Sequence, residues 1–101
     1  MIQITRHDGR ISIQGHAGFA PHGQDIVCAG VSTLAQTLIA SIENLTNDKI
    51  EYEATPGMVT ITHNRLSDSA RLLIDSFLLG VQMIAESYPN HVVVEKTPKL
   101  W

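Results

Sequence analysis

The feature that most constrains this chain is a change of hydrophobic period that happens twice. Ile2 and Ile4 alternate with Gln3 and Thr5, and Ile11 and Ile13 alternate with Ser12 and Gln14. Alternation with a period of two means strands that bury one face. Asp8-Gly9 between the runs is a hairpin signal, because Gly accepts the positive φ that a tight turn needs. From Val27 the period becomes three to four, through Val31, Leu34, Ala35, Leu38, Ile42 and Leu45, which is the stripe of an amphipathic helix. Asp25 stands before it as an N-cap, and Asn44 to Asp48 supply polar stop signals. The succession then recurs. Ile50, Tyr52, Val59 and Ile61 alternate around a Pro56-Gly57 turn, and Ser67 caps a second helix expected over 68–87. Tyr88-Pro89-Asn90 ends that helix. Val92-Val93-Val94 reads as a short final strand covered on both sides.

The order is therefore ββαββαβ, an α+β single two-layer domain with two helices packed on a mixed sheet. At 101 residues one domain over 1–101 is expected, not two. Apolar residues make up 44% and charged residues 17%, so a core is available and a disordered tail is excluded. A net charge of -3 gives no electrostatic reason to expect direct nucleic-acid binding. With one Cys there is no internal disulfide, and the N-terminus lacks the pattern of a secretory signal. The apolar stretch from Leu72 to Ala85 is broken by Asp75 and is too short to span a bilayer. A cytoplasmic protein without a membrane partner is expected. Leu72, Leu79 and Met83 widen the apolar face of the second helix beyond one-sided burial and point to a homodimer. On the first helix, Ala29, Ser32, Thr33, Gln36 and Ala40 make a small, neutral face suited to the close approach of a backbone or a partner subunit.

Chemistry concentrates between the first hairpin and the first helix. Residues 15–24 hold three glycines and a proline, which excludes a regular strand or helix and leaves a flexible loop. With Asp25 as N-cap, Cys28 is the third helical residue, where free N–H groups and the helix-end partial charge favour a thiolate. The amides of Ile26, Val27 and Cys28 are candidate oxyanion donors. His16 ends the second strand just before the loop, so the loop can bring its imidazole to Cys28 as general base. Asp25 has two candidate roles, capping the helix and orienting His16. Ser32 lies one turn beyond Cys28 on the same face. On spacing alone Cys28 has alternatives: a small buried hydrophobe, a nucleophile, a redox thiol, or one ligand of a metal site with His16 and His22. No short Cys/His ligand pair supports the metal, and none of the cofactor-binding sequence motifs is present, so no cofactor is expected. His7, His63 and His91 sit near turns and read as solvated.

Gly15-His16-Ala17-Gly18, followed by Gly23-Gln24-Asp25-Ile26-Val27-Cys28-Ala29-Gly30-Val31-Ser32, resembles the two-part signature of the ribosomal-processing cysteine protease family, called Prp. The resemblance extends over the whole chain in length and element order. It implies a site-specific cysteine endopeptidase that removes an N-terminal extension from a large-subunit ribosomal protein, the twenty-seventh in the standard naming, after an aromatic residue. It implies Cys28 as nucleophile, His16 as general base, and Asp25 and Ser32 as supporting residues. It also implies a homodimer and a mobile substrate-binding loop, here about Ala17 to Gln24, with Gly18, Phe19 and Gly23 in contact with substrate. The competing expectation is a non-catalytic, ribosome-associated dimer in which Cys28 is only structural.

Overall fold

The strands follow the alternation and the helices follow their caps. The computed structural model describes residues 1–7 and 9–95. Asp8, half of the first hairpin signal, and residues 96–101 of the expected domain lie outside the described residues. The elements are β1 (Ile2–His7), β2 (Arg10–Gln14), α1 (Ile26–Leu45), β3 (Ile50–Thr55), β4 (Met58–His63), α2 (Asp68–Ser87) and β5 (Val92–Val94). Both helices start where a side-chain acceptor meets a free first-turn amide. Asp25 accepts from Cys28 N–H, and Ser67 accepts from Ala70 N–H.

The five strands form one sheet in the order β3-β4-β2-β1-β5. Neighbours are antiparallel except β1 and β5, which run parallel, with Ile2 beside Val92 and Ile4 beside Val94. The sheet is mixed, as expected. One face carries Ile2, Ile4, Ile11, Ile13 and Ile61, and it is sealed by Val27, Val31 and Ile42 of α1 and Ile74, Phe77 and Val81 of α2. The helices touch closely at Gly80, where an added Cβ would sit 3.0 Å from a Leu34 methyl.

Three expectations change. β5 is an edge strand rather than a covered one, and Val93 is 43% exposed. Its three apolar residues reflect one buried Val and proximity to α2, not burial on both sides. His63 is not solvated: it is buried beside Ile61 on the helix-facing side of β4. Among the described residues neither of its ring nitrogens has a hydrogen-bond partner. Burial, and then the charge of Arg6, push its imidazole below the ordinary histidine range. The segment apolar and long enough to cross a bilayer is α1, with a mean hydropathy of 1.5 over its window, not the stretch in α2. In this fold α1 is the core helix, with Val27, Val31, Ala35, Leu38, Ile39 and Ile42 buried.

Candidate active site

Asp25 organises the start of α1. Its Oδ1 accepts the Cys28 amide at 2.9 Å, while Oδ2 accepts the Phe19 amide at 3.0 Å and the Ala20 amide at 3.4 Å. One carboxylate thus joins the loop to the helix that carries the thiol. The donors, led by the Cys28 amide and including those of Phe19 and Ala20, hold the Asp25 carboxyl below its usual range against the opposing effect of desolvation. This corrects part of the oxyanion expectation. The Cys28 amide already serves Asp25 and is not a free donor in this arrangement.

His16 follows β2 by two residues and is fixed from behind by the other hairpin. Gly15 N–H donates to the Gly57 carbonyl at 2.8 Å. The imidazole lies over Gly57 so closely that a Cβ there would be 2.9 Å from Nε2. Gly57 has φ +78, the left-handed region that its turn requires. The β3–β4 turn therefore forms the back wall of the imidazole, and Gly is needed at 57 both for its backbone and for the ring packed on it.

A cavity of about 650 Å³ brings together His16, Asp25, Cys28 and Ser32, with Gly18 and Gly23 in its loop wall. Cys28 is half-buried at this wall and forms no disulfide. A half-buried thiol in a cavity, in the first turn of a helix and facing the same space as an imidazole, fits nucleophilic catalysis. Ser32 lies one turn further along the same wall. Among the described residues no group of three or more His, Cys, Asp and Glu side chains could hold a metal ion.

Phe19 is placed differently from the other loop residues. It turns away from the cavity and packs edge-to-face on Tyr88, with centroids 5.3 Å apart, and on His91, at 5.4 Å. His91 is half-buried rather than solvated, and its Nδ1 lies 2.9 Å from the Ala17 carbonyl. His22 and Gln24, both within the loop expected to face substrate, also line the wall. Their place in the loop was the available signal. For Tyr88 and His91 there was none, because their contacts join segments far apart in the chain.

The small face of α1 does not meet a backbone within the described chain. Ser32, Gln36 and Ala40 are exposed and line a groove of about 420 Å³, whose other wall includes Tyr52, Ala54 and Val59. Ser32 belongs to both the groove and the cavity.

This chain is similar to known proteins over nearly its whole length. The family model for cysteine protease Prp matches residues 1–93. A ribosomal processing cysteine protease Prp of Mycoplasma genitalium is 33% identical, over 95% of this chain and 96% of the relative. The crystal structure of an essential ribosomal processing protease Prp from S. aureus, in complex with a covalently linked product peptide, superposes with a TM-score of 0.85. It is 27% identical and the match covers 93% of this chain and 95% of that one. The S. aureus protease in complex with a substrate peptide gives a TM-score of 0.79 at 26% identity, over the same shares of the two chains. With the thiol, the helix start and the cavity in place, the chain belongs to the cysteine protease Prp family and is a cysteine-type protease.

Proposed function

We propose that this protease is a ribosomal-processing endopeptidase that removes the N-terminal extension of a large-subunit ribosomal protein, the twenty-seventh, with Cys28 as nucleophile and His16 as general base. The observation that carries the reading is the shared cavity. Cys28 in the first turn of α1 and His16 at the root of the loop line the same space. The names of the relatives, and the S. aureus complexes with substrate and product peptides, support peptide cleavage in ribosomal processing.

In this mechanism His16 takes the Cys28 proton and the sulfur attacks the scissile carbonyl carbon. The C–N bond breaks as His16 returns the proton to the leaving amine. Water then hydrolyses the thioester, with His16 again as base, and the thiol is regenerated. The oxyanion forms near the helix amides, of which Asp25 occupies that of Cys28 in the resting state, so that amide serves it only if Asp25 yields it. Asp25 supports the site by tying loop to helix, and Ser32 extends the wall along which the peptide lies.

The assembly belongs to the proposal too. Leu72, Leu79 and Met83 are exposed on α2, which supports a homodimer. The protein acts in the cytoplasm, on a ribosomal protein precursor, without a cofactor and without contacting nucleic acid directly. The test uses the full chain and an extended precursor of the ribosomal protein. Cys28→Ala is expected to abolish cleavage, and His16→Ala to lower kcat by at least about a hundredfold, both with unchanged circular dichroism. Cleavage by Cys28→Ala at the wild-type rate would sink the mechanism.

A further inference from the structure

We infer that Tyr88 and His91, at the far end of α2, are positioning residues for the protease site: they clamp Phe19 and Ala17 and so hold the loop wall that faces Cys28. The inference rests on the reading of the Cys28–His16 cavity as the site of cleavage. Its basis is an aromatic corner remote from the nucleophile in sequence. Phe19 meets Tyr88 at an interplanar angle of 80° and His91 at 82°, so ring edges meet ring faces on both sides. That arrangement sets positive ring edges against negative faces and is directional. His91 adds a polar tie. A carbonyl oxygen only accepts, so the Nδ1 that lies 2.9 Å from Ala17 O donates to it.

The corner is rigidly held. The Tyr88 carbonyl accepts both the His91 amide at 2.9 Å and the Val92 amide at 3.1 Å, while the Tyr88 amide closes the last turn of α2 on Ile84 O at 2.8 Å. The loop is therefore pinned on two sides. Asp25 grips the amides of Phe19 and Ala20 from the helix start, and the corner grips the Phe19 ring and the Ala17 carbonyl from the end of α2. Gly18, between the two grips, has φ +68 and nothing within 4 Å of where a Cβ would stand, so the backbone turns there in open space. The ring of Phe19 remains 42% exposed. The clamp is thus a surface contact that can release without disturbing the core. Releasing it removes part of the wall against which a peptide settles, so the effect falls on capture of the peptide more than on the bond-breaking step.

The experiment compares Phe19→Ala, His91→Ala, Tyr88→Ala and Tyr88→Phe, with amide hydrogen exchange and steady-state cleavage of an extended precursor peptide as readouts. Exchange over residues 18–24 should quicken by about three- to tenfold in the first three variants, and exchange in the sheet should stay unchanged. KM should rise by a similar factor, with kcat within about twofold of the parent. Tyr88→Phe keeps the ring and should behave as the parent. Because Phe19 is the shared partner of both rings, Phe19→Ala combined with Tyr88→Ala should be no worse than Phe19→Ala alone. Phe19 lies outside the core, so its variant folds even where Tyr88→Ala does not. Unchanged loop exchange in Phe19→Ala and His91→Ala overturns the clamp. Faster exchange with unchanged KM overturns its positioning role. Failure of the parent chain to cleave any extended precursor sinks the substrate reading instead, and exchange still decides the clamp.

Discussion

The two hairpins share a sequence pattern and meet different fates. In β1 and β2 the inward residues Ile2, Ile4, Ile11 and Ile13 are all buried, because the hairpin lies in the middle of the sheet under both helices. In β3, at the edge, no residue is buried, and Tyr52 is 48% exposed although it faces the same side as buried Ile61, its cross-strand neighbour. Within β4, burial is confined to Ile61 and His63. The second hairpin is thus covered at its open end and bare toward its turn. Alternation specifies which side of a strand faces the helices, but how far the helices reach over it is set by packing. The uncovered part is where the fold leaves space: the groove beside α1, and the turn that backs His16.

The largest expected effect tests that contrast in stability. Ile11→Ala removes a fully buried side chain from the central hairpin and should cost about 2–5 kcal/mol in urea unfolding. Tyr52→Ala, on the edge hairpin, should cost about 1 kcal/mol or less. Equal losses would erase the distinction between covered and bare halves. Next comes the turn. Gly57→Asn retains a residue that tolerates left-handed backbone but places a Cβ against the His16 ring. It should lower kcat by about ten- to a hundredfold while the melting temperature stays near the parent value. A parallel fall in both would make the turn a structural element only.

The smallest effect concerns the covered end. His63 is neutral in the fold because burial and Arg6 hold its proton affinity down. The unfolded chain therefore takes up a proton, as pH falls below about 6.5, that the folded chain refuses until a lower pH. Stability is fully present above that value and declines as pH drops toward the depressed folded value. His63→Leu should flatten this part of the profile of stability against pH. An unaltered slope in the variant would assign the dependence to other groups.

Most of the architecture was legible locally. Period-two runs, a three-four stripe and two capping side chains each report on a few consecutive residues, and they located both hairpins and both helix starts. β5 was misjudged because three consecutive valines look alike whether a strand is central or at an edge beside a helix. His63 and His91 looked solvated because their neighbours are turn residues, yet their environments come from elements distant in sequence. At the site, the spacing of His16, Asp25, Cys28 and Ser32 was readable because one loop and one helical turn join them. The place of Phe19 was not, since its partners lie past the end of α2. The occupied Cys28 amide was foreseeable only as a tension between capping and oxyanion binding, and geometry resolved it in favour of the cap.

The parallel seam between β1 and β5 bears on when the protease becomes competent during synthesis. Ile2 finds its neighbour only when Val92 has been made, and α1 gains its helical partner only with α2. A nascent polypeptide that already carries both His16 and Cys28 still lacks the helix that buries α1 and the corner that holds the loop. Translation therefore delivers His16 and Cys28 well before the elements that surround them, since α2, Tyr88, His91 and β5 are all made later.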